Sequence, residues 1–122
     1  MKLRTSAVVW AEIPVKDMTA AMAFYEALLG NPLTLDETGP NPMAMFAYDM
    51  TKGTGGHLYP GTPAPGTGPT VHLAVPGTVE AAMAVCTAKG GKVLSPVITI
   101  PPGRFCYATD PDGNSIGLFE PA

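Results

Sequence analysis

The chain has 122 residues, 46% of them hydrophobic, which is enough apolar material for the core of one domain. Its formal charge is −3 and its seven lysines and arginines are dispersed, which argues against a nucleic-acid-binding surface or a polybasic membrane patch. Glu12 interrupts the apolar run near the N-terminus, so we expect neither a signal peptide nor a transmembrane segment. These features predict a cytoplasmic protein with neither a nucleic-acid nor a membrane partner.

The first half of the chain predicts a β-α-β-β-β module. A β-branched and apolar run predicts a strand over residues 7–15. Apolar residues recur at helical spacing over residues 18–29, where Asp17 is a suitable N-cap and Gly30 allows the left-handed turn that ends a helix. The strands predicted after this helix cover residues 33–37, 43–48 and 55–59.

A segment rich in proline, glycine and threonine follows, with no hydrophobic periodicity. We therefore divide the single domain into a first module at residues 1–60, a linker at residues 61–68 and a second module at residues 69–122. A linker of this length allows the second module to pair with the first module of its own chain or of a partner chain. The sequence leaves both arrangements open.

The second half predicts the same order of elements. Residues 71–75 predict a strand, and Thr78 caps a helix that has Glu80 in its first turn and ends at Gly90 and Gly91. The strands predicted after this helix cover residues 93–98, 105–109 and 115–120.

The two halves also repeat in sequence, sixty-one residues apart. Ala20-Ala21-Met22-Ala23 returns as Ala81-Ala82-Met83-Ala84, and Asp49 corresponds to Asp110. A repeat of this length indicates a duplicated module, and because each half is too small to bury much surface alone, we expect the halves to share one core.

Two cysteines, Cys86 on the apolar stripe of the second helix and Cys106 on a strand, lack the spacing of a metal-binding pair. We interpret them as small apolar core residues, although the sequence leaves a disulfide between them open. Neither has a basic neighbour that would activate a catalytic thiol.

Several short motifs, spread over residues 8–121, follow the pattern of one known family. They are Glu12-Ile13-Pro14-Val15-x-Asp17, Ala23-Phe24-Tyr25, Leu29-Gly30, Lys89-Gly90-Gly91 and Asp110-Pro111-Asp112-Gly113-Asn114-x-Ile116-x-Leu118-x-Glu120. In these motifs the chain resembles the vicinal oxygen chelate superfamily, which includes glyoxalase I, bleomycin-resistance proteins, fosfomycin-modifying enzymes, methylmalonyl-CoA epimerase and extradiol dioxygenases.

The resemblance implies an α+β fold in which two tandem βαβββ modules form a curved mixed sheet around a central cleft, with the helices on the outer face. It also implies a small-molecule ligand and a homodimer, for which Met43, Met45 and Phe46 offer apolar surface. Metal-dependent members hold a divalent ion with His, Glu or Gln from the first and last strands of each module.

This chain departs from that metal-binding pattern. Alignment of the strand ends places the four ligand positions on Trp10, Thr70, Gly56 and Gly117. None of these residues is a usual metal ligand, so we expect no metal at this site and no other cofactor.

Three ionisable residues remain as candidates for chemistry. Strand alternation places Glu12 and His72 on the same face as Trp10 and Thr70, where they could bind a polar ligand or act as catalytic base and acid. The alternative is a structural pair buried in the core. His57 adjoins Gly56 and is expected on the opposite face, as a surface or packing histidine. A bulge at the neighbouring glycines would instead turn it inward and give Glu12, His57 and His72 as a weak metal set.

The remaining candidates line or border the expected cleft. Trp10 offers a flat apolar floor, and Ser115 and Phe119 share the face of Gly117, so these side chains and Glu12 would form an amphipathic wall, although core packing also explains the indole. Arg104 could clamp an anionic ligand at the rim or be an ordinary solvated arginine. The turn at residues 110–114 is interpreted as structural.

Two functions from different classes follow. The first is a metal-independent small-molecule-binding protein of the glyoxalase and bleomycin-resistance type, which binds its ligand without converting it. The alternative is a lyase, isomerase or dioxygenase-like enzyme with a displaced site around Glu12 and His72. The sequence does not decide whether the protein is an enzyme.

Overall fold

The computed structural model of the chain describes residues 6–122, which form two modules that each begin β-α-β. The first module contains β1 (Trp10–Val15), α1 (Met18–Leu29), β2 (Thr34–Asp36), β3 (Met43–Met45) and β4 (Gly55–Pro60). The second contains β5 (Val71–Ala74), α2 (Val79–Ala88), β6 (Lys92–Val93), β7 (Ile98–Ile100), β8 (Gly103–Thr109) and β9 (Ser115–Pro121). The predicted α+β fold of tandem modules is confirmed.

Each module forms its own mixed sheet, so the strands make two sheets rather than one continuous sheet. The order is β1-β4-β3-β2 in the first sheet and β5-β9-β8-β6 in the second, where β7 also pairs with β8. β1 is parallel to β4, and β5 is parallel to β9. Because β1 and β5 are both edge strands, each module presents an unpaired strand edge that can border a cleft.

Three predicted strands differ clearly from the structure. The strand expected over residues 43–48 ends at Met45. The strand expected over residues 93–98 is divided into β6 and β7, because Pro96 has no backbone N–H to donate to β8. The first strand begins at Trp10 rather than at residue 7, and Val8 and Val9 before it are largely exposed.

Both helices are capped as the sequence predicts. The Asp17 carboxylate accepts a hydrogen bond from the backbone N–H of Ala20 at 3.1 Å, and the Thr78 hydroxyl accepts one from that of Ala81, also at 3.1 Å. Gly30 ends α1 with a φ of 72°. Neither of the two helices described in residues 6–122 is long and apolar enough to cross a membrane.

One hydrophobic core joins the two modules. Side chains from both sheets pack with the buried faces of α1 and α2, among them Ile13, Tyr25, Leu58, Cys86, Ile116 and Leu118. Because the residues of a strand alternate between two faces, the opposite face of each sheet remains available for a site.

The turn at residues 110–114 fastens the second module to the first. The Tyr25 hydroxyl donates to Asp110 Oδ2 at 2.7 Å, and Asn114 Nδ2 donates to the carbonyl oxygen of Pro14 at 2.8 Å. Asp112 Oδ2 accepts from the backbone N–H of Lys16 at 3.2 Å. Burial, reinforced by the neighbouring Asp110 carboxylate, raises the pKa of Tyr25 well above its ordinary value, so this hydroxyl stays protonated and continues to donate.

Candidate functional site

A cavity of about 530 Å³ lies between the edge strands β1 and β5. We call it the main cavity. Its lining includes Trp10, Glu12 and Gly55 from the first module and Thr70, His72 and Leu73 from the second. A volume of this size suits a small organic molecule. The cavity lies where the two halves of the repeat meet, which is the place the sequence predicts for a cleft.

Trp10, His57 and Glu12 form a connected row beside this cavity, in which Trp10 and Glu12 line the cavity and His57 lies behind them. The indole Nε1 of Trp10 donates a hydrogen bond to His57 Nδ1 at 2.9 Å. His57 Nε2 lies 3.4 Å from Glu12 Oε1. His57 is only 7% exposed, whereas the Glu12 side chain is 64% exposed. The row therefore runs from a buried imidazole to a carboxylate that is open to solvent and to the cavity.

The position of His57 corrects the sequence prediction. Glu12 pairs with His57 between β1 and β4, and His72 pairs with Gly117 between β5 and β9. The structural equivalent of Gly117 is thus His57 rather than Gly56. The sequence prediction aligned β4 with β9 by their last residues, which places β4 one residue out of register. A shift of one residue moves every side chain to the opposite face of the sheet.

Glu12 and His72 both line the main cavity, but the imidazole that Glu12 contacts in the described structure is that of His57. His72 instead meets three aromatic rings of the second sheet. Its ring centroid lies 5.3 Å from that of Phe105, 5.8 Å from Tyr107 and 6.2 Å from Phe119. Glu12 and His72 therefore remain predicted site residues, but they do not form the direct pair that the repeat suggested.

Ser115 and Phe119 occupy different surroundings. Ser115 lines a second cavity of about 220 Å³ together with Glu12, and we call this the small cavity. The Ser115 and Thr70 hydroxyl oxygens lie 2.5 Å apart, so one hydroxyl donates a hydrogen bond to the other. Phe119 stacks on Phe105 with the two rings 12° from parallel. The predicted wall is consequently divided between the small cavity and an aromatic cluster.

Arg104 and Phe105 are consecutive residues of β8, so their side chains point to opposite faces of the second sheet. Arg104 lies on the face that packs against the helices. Its guanidinium pairs with Glu80 at the start of α2, and Nη1 lies 3.0 Å from Glu120 Oε1. The hydrogen bond to Glu80 raises the pKa of Arg104 and lowers that of Glu80. Of the two roles left open for Arg104, the anion clamp is not supported, because two carboxylates already hold the guanidinium.

Both cysteines are free and buried, in agreement with their predicted structural role. Burial raises the pKa of the Cys86 thiol to about 11, and it also raises the pKa of Cys106. The thiolate form that a nucleophile or metal ligand requires is therefore disfavoured at neutral pH.

The residues at the metal-ligand positions do not fit a divalent ion. With the corrected register these positions are Trp10, His57, Thr70 and Gly117, of which only His57 is a usual ligand, and its Nδ1 already accepts the indole N–H. No three His, Cys, Asp or Glu side chains come together in a metal-holding group within residues 6–122. The weak alternative set of Glu12, His57 and His72 is likewise not assembled in this structure.

Tyr48 is a site residue that sequence reasoning missed. Its ring meets that of Trp10 edge to face, with centroids 5.8 Å apart, and it borders a further cavity with His72. A side chain on Gly55 would collide with the Tyr48 ring. The glycine run before His57 was the available signal, since it leaves room for a large neighbour, but it did not identify which ring fills that room.

Comparisons with known proteins agree with this architecture. Residues 7–118 match the family model described as Glyoxalase/Bleomycin resistance protein/Dioxygenase superfamily. Two proteins named "Putative glyoxylase CFP32", from Mycobacterium bovis and Mycobacterium tuberculosis, are each 31% identical over 121 residues, or 97% of the chain. The chain covers only 45% of the length of each of these relatives.

Solved structures show the same fold. A glyoxalase/bleomycin resistance protein from Albidiferax ferrireducens superposes with a TM-score of 0.76 at 23% identity, covering 96% of this chain and 100% of the other. TnmS3, an antibiotic binding protein from a Streptomyces species, superposes with a TM-score of 0.66 at 28% identity, covering 99% of this chain and 100% of the other.

Proposed function

Because the chain belongs to the glyoxalase/bleomycin resistance protein/dioxygenase superfamily, we propose that it binds a small molecule in the main cavity without a divalent metal. The hydrogen bond from Trp10 to His57 carries this proposal. Trp10 and His57 stand at two of the four metal-ligand positions, and this hydrogen bond joins them. A neutral imidazole has one unprotonated ring nitrogen with which to bind a metal, and in His57 that atom, Nδ1, already accepts the indole N–H.

The shape and composition of the cavity support a binding role. The main cavity is bordered by the indole of Trp10 and by the apolar residues Val8, Val71 and Leu73, with few polar groups. Such a lining favours an organic ligand with a large apolar surface. The similarity to TnmS3, which is described as an antibiotic binding protein, favours the same class of ligand.

Metal analysis of the purified protein tests the metal-independent part of this proposal. The wild-type protein and the variants His57→Ala and Glu12→Ala are each incubated with Zn²⁺, Ni²⁺ or Mn²⁺ and desalted. The bound metal per chain is then measured. We expect far less than one ion per chain in wild type and in the variants. One bound ion per wild-type chain, lost in His57→Ala or Glu12→Ala, would overturn it.

A screen of aromatic small molecules tests the binding part. Trp10 is the single tryptophan of the chain, so its fluorescence reports on the cavity directly. We expect saturable changes in emission and a raised melting temperature with some members of the screen. Calorimetry, which needs no tryptophan, should show that Trp10→Phe binds these compounds more weakly. A ligand that binds wild type and Trp10→Phe equally well would place the site elsewhere.

The contact of 3.4 Å between His57 Nε2 and Glu12 Oε1 supports a second candidate, a lyase or isomerase. In such an enzyme Glu12 would remove a proton next to a substrate carbonyl, with His57 holding the carboxylate. The test is C–H exchange of hydroxyacetone in D₂O, followed by NMR. Exchange above the buffer rate that is lost in Glu12→Gln would favour the enzyme, whereas exchange at the buffer rate would count against it.

We also propose that the protein is a homodimer. Exposed apolar side chains support an interface on the second sheet, where Leu94, just after β6, is 60% exposed and Tyr107, on β8, is 39% exposed. Of the residues first considered, Phe46 is buried against Tyr25, with ring centroids 5.6 Å apart, and contributes no such surface. Sedimentation equilibrium at tens of micromolar should give twice the chain mass, and a single monomeric species would refute the dimer.

A further inference from the structure

We propose that the ligand of the main cavity is a flat organic cation, and that Glu12 is the residue that selects for its positive charge. This inference rests on the proposed function, because it names the ligand class for the same cavity. It concerns charge, which neither the family nor the fold determines.

The charge distribution around the cavities supports this choice. Among the described residues that line the main and small cavities, Glu12 is the one carboxylate, and His72 is the one other ionisable side chain. Its carboxylate stands on the wall that both cavities share, and its side chain is 64% exposed. A ligand in either cavity can therefore reach this negative group, and an anionic ligand would be repelled by it.

The neighbouring histidine does not neutralise Glu12. An indole N–H can only donate, so the 2.9 Å hydrogen bond requires His57 Nδ1 to be an acceptor without a proton. The single ring proton then lies on Nε2, on the side of Glu12 Oε1. In this arrangement His57 is uncharged, so it orients the carboxylate and leaves its negative charge available for a ligand.

Two other polar features of the second module already have partners. The Arg104 guanidinium is paired with Glu80 and Glu120 on the helix-facing side of the second sheet. One of the Thr70 and Ser115 hydroxyls donates a hydrogen bond to the other. Among the described residues that line the two cavities, Glu12 is therefore the carboxylate left to recognise a ligand.

The aromatic residues indicate a flat ligand. Trp10 and His72 come from opposite modules and line the main cavity, and Tyr48 lies edge to face with Trp10. Aromatic faces attract cations through the ring quadrupole, so these side chains and Glu12 favour the same charge. A planar ring system can fill the space between the modules while its cationic group reaches Glu12.

The test compares three ligands that share one ring system, namely 9-aminoacridine, acridine and acridine-9-carboxylate. At neutral pH they are cationic, neutral and anionic. Equilibrium dialysis gives each Kd for wild type, for Glu12→Gln and for the control Glu37→Gln, which makes the same charge change at an exposed position on the chain. Melting curves establish that each variant is folded.

We expect wild type to bind 9-aminoacridine at least about tenfold more tightly than acridine, and acridine-9-carboxylate most weakly. Glu12→Gln should bring the cation and the neutral compound within about twofold of each other, while Glu37→Gln keeps the preference. Binding without charge preference, or a preference that survives Glu12→Gln, overturns the inference and leaves the proposed function intact. Binding of none of the three overturns the inference, whereas the proposed function fails only when the wider screen also yields no ligand.

Discussion

Trp10 and His57 show how one side chain determines the chemistry of another. The indole has a single polar atom, which donates to His57 Nδ1, and this fixes the imidazole with its other nitrogen toward Glu12. This contact occupies Nδ1 of the histidine at a metal-ligand position, and it is the basis of the proposed binding without a metal. It depends on the tryptophan, because phenylalanine in the same place would offer no donor.

Removal of the buried Tyr25 hydroxyl is predicted to destabilise the protein. Its hydroxyl is buried and donates to the Asp110 carboxylate at 2.7 Å, so Tyr25→Phe leaves a buried oxygen without this partner. We expect a loss of about 1.5–3 kcal/mol in the free energy of unfolding, measured by urea denaturation. Tyr59→Phe is the matched control, and an equal loss in both variants would contradict the importance of the Asp110 contact.

The buried thiol of Cys86 predicts that the free energy of unfolding falls at alkaline pH. Burial raises its pKa in the folded protein from 9.0 to about 11, so the unfolded thiol loses its proton first as the pH rises. This contribution to stability is complete below pH 9 and is lost as the pH rises toward 11. The unfolding free energy of Cys86→Ala should therefore fall less steeply than that of wild type over this interval. Parallel curves would show that the thiol does not contribute.

At the scale of elements, Gly56 and Gly117 are predicted to respond differently to alanine. A Cβ on Gly56 would collide with the backbone carbonyl of Ala11 in β1, whereas one on Gly117 would collide with the movable imidazole of His72. Gly56→Ala should therefore lower the melting temperature strongly. Gly117→Ala should largely keep the fold but shift the NMR signals of the His72 ring. Equal destabilisation by both would show that the two strands do not have the register described.

The elements themselves were well predicted because each has local signals. Helix caps at Asp17 and Thr78, together with the repeated order of strands, predicted the two modules, and the family resemblance predicted how the modules assemble. The pairing register of β4 was not predictable, because strand ends are poorly defined in sequence and a one-residue error reverses every face. That error alone placed His57 on the wrong side of the sheet.

The candidate site was predicted less completely than the fold. Alternation along one strand correctly grouped Trp10 with Glu12, but contacts between strands decide which partner each residue meets. Glu12 meets His57 within its own module, and Arg104 meets two carboxylates on the helix side. Such choices depend on side-chain packing across elements, which a single sequence without homologues does not reveal.

For the whole molecule, we propose that the cavity between the modules binds an organic ligand without a metal. The indole N–H signal of Trp10 in a ¹⁵N-labelled sample reports on this wall alone, because the chain has one tryptophan. We predict that 9-aminoacridine shifts this signal in a saturable manner and that one equivalent of Zn²⁺ leaves it unchanged. A signal that moves with Zn²⁺ and not with 9-aminoacridine would contradict binding of an organic ligand without a metal.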